Sequence, residues 1–191
     1  MNKDTTRTFI SIPIPSSIRS LKQMLFSTLE NQKAIINWVK SVNLHITLKF
    51  LGEIDDAHSE QITKITEKVI SAFNQFDLEV NSTGSFFKNG RHDVLWLGMK
   101  ENKVLHQLVD NLENSFVKID FPKNENQFVP HITMAKINYP QKYNPNIDMF
   151  LNSSFNPINF KVKNINLIES TIIETGINYK ILNTFHLDEN K

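Results

Sequence analysis

The strongest constraint on this chain is a five-residue pattern that occurs twice, as Leu44-His45-Ile46-Thr47-Leu48 and as Pro130-His131-Ile132-Thr133-Met134. Each copy sets a histidine and a threonine two positions apart inside an apolar run, and in an extended strand residues i and i+2 share a face. The pattern predicts two strands that present His45 with Thr47 and His131 with Thr133. Leu44, Ile46, Leu48 and Phe50 then line the opposite side of the first strand and enter a core, as Ile132 and Met134 do in the second. The surroundings repeat as well. The apolar run at residues 8–12 precedes His45 by the same distance as residues 94–97 precede His131, with helical periodicity between each run and its histidine. The chain thus carries a strand–helix–strand unit twice. A single strand histidine is most often a satisfied or solvent-facing residue. The duplication is what turns paired imidazoles and paired hydroxyls into a candidate site for acid–base chemistry on an anionic group.

Composition bounds what such a site can be. A chain of 191 residues with 40% hydrophobic and 21% charged residues is long enough to bury a core without staples. Cysteine is absent, which excludes disulfides, thiolate catalysis and cysteine-held metals. No apolar run approaches the ~20 residues of a membrane span. The polar start at residues 1–7 leads straight into a strand, so no signal peptide is expected and the cytoplasm is the default location. A net charge of +1 offers no global attraction to nucleic acid, so any RNA contact must rest on local charges.

The coarse pattern is α+β. Pro13 and Pro15 end a first strand, and Ser16 or Ser17 is placed to cap a helix with Ile18, Leu21, Leu25 and Leu29 on one stripe. After the His45 strand, Asp55 or Asp56 caps a second helix with Ile62, Ile65, Val69 and Phe73 inward. Residues 76–80 read as a strand, Gly84 and Gly90 as punctuation of the turn before a strand at 94–99, and Val104, Leu105, Leu108, Leu112 and Phe116 as a third helical stripe. Residues 121–127 form a polar loop, residues 139–157 an irregular connection with at most one short helix, and residues 158–170 and 177–187 closing strands.

These residues resemble the 2H phosphoesterase superfamily, and within it the RNA 2′,3′-cyclic phosphodiesterase group, historically called 2′-5′ RNA ligase (the LigT/ThpR type). The likeness runs through Arg7-Thr8-Phe9-Ile10-Ser11-Ile12, Asn43-Leu44-His45-Ile46-Thr47-Leu48-Lys49-Phe50-Leu51-Gly52, Gly84-Ser85-Phe86, Leu95-Trp96-Leu97-Gly98, Pro130-His131-Ile132-Thr133-Met134-Ala135-Lys136, Glu169-Ser170 and Gly176…Tyr179. The resemblance implies one bilobal domain over residues 1–191 with pseudo-twofold symmetry. Two antiparallel sheets would flank a cleft, helices would cover the outer faces, and terminal strands would return to the first lobe. It implies metal-independent hydrolysis of a 2′,3′-cyclic phosphodiester, on RNA ends or small nucleotides, to the 2′-phosphomonoester. In that scheme His45 is the proton donor and His131 the proton acceptor. The residues alone leave the two roles open, because the motifs are nearly symmetric.

The chemistry suits the residue types. Histidine titrates near neutrality, so one imidazole can be charged while another is neutral. Thr47 and Thr133 can donate to phosphoryl oxygens, although β-branched residues also favour strands for their own sake. Strict alternation puts Lys136 on the face opposite His131 and Thr133 unless a bulge turns it, and puts Lys49 on the face of His45. Arg7, Phe86 and Phe87 are further candidates for substrate contact, the aromatics by base stacking. Trp96, in an apolar strand, reads as core. His58, His92, His106 and His186 fall outside the pattern. No cofactor, membrane or obligate protein partner is expected, and a monomer is the default. Two alternatives stay open: a 2′-5′ oligonucleotide phosphodiesterase or ligase, and a non-catalytic nucleotide-binding module on the same fold.

Overall fold

The computed structural model describes residues 6–174 and 176–189, without the side chains of residues 6, 56 and 57. The polar start of the chain, residues 1–5, lies outside the described residues. The strands are β1 (Thr6–Pro13), β2 (Asn37–Trp38), β3 (His45–Gly52), β4 (Phe76–Lys88), β5 (Arg91–Met99), β6 (His131–Lys136), β7 (Ile158–Val162), β8 (Asn164–Ile173) and β9 (Gly176–His186). The helices are α1 (Ser16–Ser27), α2 (Asp56–Ile70), α3 (Lys103–Phe116) and the short α4 (Asp148–Leu151).

Two sheets were expected, but the ladder is continuous. Its order is β7-β4-β5-β6-β3-β1-β8-β9, with β2 added to β6. The seam between the halves is a single antiparallel pair, Ile46 opposite Ile132. These are equivalent positions of the repeated motif, so the two copies meet at the same residue. β8 and β9 return from the end of the chain to pair beside β1, as anticipated.

Local chemistry explains most elements. β4 turns into β5 through Asn89-Gly90, with Lys88 opposite Arg91 and φ of 51° and 76° at the two loop residues. That is a two-residue hairpin, for which Asn-Gly is a preferred pair because both positions need φ > 0. Asp55 caps α2 by accepting from the His58 amide at 2.8 Å. Asn102 does the same for α3 through the Leu105 amide at 2.9 Å. At α1 neither serine caps: Ser16 is already helical, and the cap position is Pro15, with no side-chain bond. The segment 158–170 is broken at Lys163 into β7 and the start of β8.

Gly84 is not a turn residue. It sits inside β4, opposite Trp96, and a Cβ there would lie 2.1 Å from Cη2 of the indole. Gly98 is the second half of the cradle, since its Cβ would come within 2.8 Å of Cζ3 of the same ring. Both glycines are spent on letting a large ring lie flat on the sheet.

The core fills the helix side. Ile18, Leu25, Ile62, Leu105, Leu108, Leu112 and Phe116 are fully buried against Ile46, Leu48, Ile132 and Met134. Burying side chains of this size contributes ~1.5–3 kcal/mol each. The same strands turn their other face, with the histidines and threonines, away from this core.

Candidate active site

Both motif strands carry a bulge at the same place. Opposite β1, Ile10 pairs with Lys49 and Ser11 with Thr47, which leaves Leu48 as an extra residue in β3. Opposite β5, Leu95 pairs with Ala135 and Trp96 with Thr133, which leaves Met134 extra in β6. An extra residue reverses the alternation beyond it. Leu48 and Lys49 are therefore both buried in succession, and so are Met134 and Ala135.

The bulges overturn three expectations, and the glycine cradle overturns a fourth. Phe50 leaves the core and stands 64% exposed between the cavities. Lys49 leaves the histidine face: it is 1% exposed, paired with Glu113 of α3 at 2.7 Å and donating to the Pro122 carbonyl at 2.9 Å. Lys136 turns onto the side of His131 and Thr133 and lines a cavity with His45, Thr47 and Thr133. Trp96, instead of filling the core, lies half-buried in its glycine cradle, with its ring centroid 6.4 Å from that of His131.

The two imidazoles are held alike. His45 Nδ1 lies 2.7 Å from the Asn43 carbonyl, and His131 Nδ1 lies 2.7 Å from the Val129 carbonyl. A carbonyl only accepts, so in both rings Nδ1 carries the hydrogen and Nε2 is the working nitrogen. In each copy the carbonyl belongs to the residue two before the histidine. Thr47 Oγ1 stands 3.0 Å from His45 Nε2 and can donate to it when the ring is neutral.

Aromatic rings fix the imidazole planes. Phe9 stacks on His45 at 4.7 Å and Tyr179 meets it edge-on at 5.5 Å. Phe86 meets His131 edge-on at 4.8 Å. Burial pushes both histidines below the ordinary value. For His45 the Asn43 carbonyl works upward, while the charges of His131 and Lys136 lower it further. For His131 burial is opposed only by the Val129 carbonyl. Burial raises the Tyr179 phenol.

Two cavities meet at Thr47 and Phe50, which line both. One, of about 380 Å³, holds His45, Thr133, Lys136, Lys40 and Tyr179. The other, of about 830 Å³, holds His131, Phe86, Phe87 and the loop residues Asn124 to Val129. Of the candidates from the sequence, His45, His131, Thr47, Thr133, Lys136, Phe86 and Phe87 thus come together. Arg7 does not: it is exposed on β1 opposite Ser170, outside both cavities. Phe9, Tyr179 and Lys40 were given no role from the sequence. The signal for Tyr179 lay in the Gly176…Tyr179 element, but its contact with His45 depends on β9 folding back beside β1. Among the described residues, no group of three or more His, Cys, Asp or Glu is placed to hold a metal ion. No described helix is long and apolar enough to cross a membrane.

Antiparallel strands that carry paired His and Thr to one face define a phosphoesterase of the two-histidine class. A family model described as the 2′-5′ RNA ligase superfamily matches residues 15–171, and the chain belongs to that family. It is 30% identical over 177 residues to the RNA 2′,3′-cyclic phosphodiesterase of Thermotoga maritima, covering 92% of each chain. Its identity to the enzyme of that name from Aquifex aeolicus is 27% over 186 residues, covering 95% of this chain and 97% of the other. The fold is similar to Escherichia coli LigT, with a TM-score of 0.74 at 22% identity over 98% of this chain and 100% of that one.

Proposed function

We propose that this protein hydrolyses the 2′,3′-cyclic phosphodiester of RNA ends or small nucleotides to the 2′-phosphomonoester, as a single functional unit and without a metal. The observation that carries the reading is the matched pair of imidazoles, each with Nδ1 tied to a backbone carbonyl so that Nε2 is left to work, on strands whose shared face also carries Thr47 and Thr133. Relatives across most of the chain bear the name RNA 2′,3′-cyclic phosphodiesterase, and Escherichia coli LigT has been crystallised with 3′-AMP.

The mechanism follows from the nitrogens. His131 Nε2 takes a proton from water as its oxygen bonds to phosphorus. The bond from phosphorus to O3′ breaks, the electron pair goes to O3′, and the imidazolium of His45 delivers the proton there from Nε2. The 2′ ester stays intact. Thr47 and Thr133 donate to the non-bridging oxygens, and Lys136 offsets their charge. His45 suits the acid role because burial and the charge of Lys136 make its imidazolium a stronger donor.

The test is an oligonucleotide with a defined 2′,3′-cyclic end, incubated with chelator present and analysed for the position of the product phosphate. A 2′-phosphate supports the proposal. A 3′-phosphate reverses the leaving oxygen, and dependence on added metal removes the two-histidine mechanism. Binding without turnover would make the chain a nucleotide-binding module, and cleavage of 2′-5′ linkages in preference to the cyclic end would move the substrate.

A further inference from the structure

The two cavities that meet at Thr47 and Phe50 differ in chemistry. Phe87, in the His131 cavity, is 65% exposed and Phe50 is 64% exposed, so both have ring faces open to a base. In the His45 cavity the large aromatics other than the shared Phe50 are already engaged. Trp38 packs on Phe26 and Phe150, with centroids 5.4 and 6.4 Å away, and Tyr179 packs edgewise on Phe9 and His45. What that cavity offers instead is positive charge and amide donors. Lys40, Lys136, Asn37, Asn43 and Asn138 line it, and among the described residues no carboxylate does.

Lys40 is set on an anchored segment. The amide of Val39 donates to the Met134 carbonyl at 2.9 Å, and the Asn43 amide donates to the Lys40 carbonyl at 2.8 Å. Lys22 of α1 donates to the Val39 carbonyl at 2.5 Å, and Asn43 Nδ2 reaches the Ile177 carbonyl of β9 at 3.0 Å. The lysine side chain reaches Gly176, which also lines the cavity and whose absent Cβ would lie 3.7 Å from Lys40 Nζ. Asn37 stands beside Lys136 in the β2–β6 ladder, so amide and ammonium share one wall.

We propose that the His45 cavity is a second anion subsite that takes the phosphate on the 5′ oxygen of the nucleotide whose cyclic phosphate lies between the histidines, with Lys40 as its principal cation. The inference rests on the phosphodiesterase reading above. It makes the preferred substrate a 5′-phosphorylated nucleotide or an RNA end, over a bare nucleoside cyclic phosphate. The two phosphates of such a substrate are one ribose apart, and its base turns to the Phe50 and Phe87 side. With a net charge of only +1 over the whole chain, the preference must come from these local groups.

Three substrates test it: adenosine 2′,3′-cyclic phosphate, the same compound with a 5′-monophosphate, and the dinucleotide ApA with a 2′,3′-cyclic end. A charge-assisted contact predicts kcat/KM about tenfold higher when the 5′ oxygen carries phosphate, chiefly through KM and shrinking as salt is raised. A gain with both the monoester and the dinucleotide assigns the internucleotide linkage to the subsite. A gain with the monoester alone assigns a terminal phosphate. Lys40→Gln should bring the ratio of phosphorylated to unphosphorylated kcat/KM close to one, and Lys40→Arg should keep it. A ratio near one in the parent overturns the subsite, as does an undiminished ratio in Lys40→Gln. Failure to turn over any of the three substrates would overturn the phosphodiesterase reading itself.

Discussion

His45 and His131 each enter the proposed chemistry through one nitrogen, and their shared mode of suspension makes their removal readable. Replacing either with alanine should lower kcat by the ~10²–10⁴-fold typical of general acid–base groups, measured on a cyclic substrate at saturation. With a substrate whose leaving oxygen is replaced by a good leaving group, His45→Ala should recover most of its activity and His131→Ala should not. The pH profile carries a second assignment. Both imidazoles are held below the ordinary value of 6.5, so the bell of kcat/KM should peak on the acid side of that value. Lys136 lowers His45. Lys136→Gln should therefore move one limb upward, the alkaline limb if His45 is the acid and the acidic limb if it is the base. The same variant should lower kcat/KM by about tenfold through the lost phosphate contact, and Lys136→Arg should keep it.

At the scale of elements, the bulges divide what a sequence reader can see from what only folding reveals. The alternation of His-Ile-Thr placed both histidines, both threonines and the inward Ile46 and Ile132 correctly, because period-two reasoning holds up to the extra residue. Beyond Leu48 and Met134 it fails by one step, and Phe50, Lys49 and Lys136 change sides together. Nothing in Leu48 or Met134 announces a bulge. The helical stripes were legible because they repeat over several turns. Trp96 was misplaced because its position depends on Gly84 and Gly98, two glycines on different strands that become neighbours only in the sheet. The buried Lys49 has a consequence of its own. Its partner Glu113 also accepts from Asn124 Nδ2 at 2.7 Å, which ties the rim of the His131 cavity to α3. Lys49→Ala leaves the Glu113 carboxylate without its counter-charge under the sheet and should cost ~3–5 kcal/mol in urea unfolding. Lys49→Met combined with Glu113→Leu should recover most of that loss while leaving the 121–127 loop less firmly placed.

Across the whole molecule, the same histidines link function to stability. The unfolded chain takes up protons on these groups near 6.5, whereas the folded protein takes them up only at lower pH. Their contribution is fully present above that value and is lost as pH falls through the lower folded values. Thermal melts from neutral to mildly acidic pH should show this decline, and a His45→Gln/His131→Gln double variant should show less of it. The seam between Ile46 and Ile132 has a further reach. The two histidines ride on different halves of the sheet, and one backbone pairing spans the line between them. Both isoleucines are fully buried over the helices, so the span from imidazole to imidazole is a packing dimension, gauged by the hydrocarbon beneath it. Ile46→Val or Ile132→Val, each costing only ~0.5–1.5 kcal/mol of stability, should then reset the calibre of the cleft and slow turnover out of proportion to the stability lost.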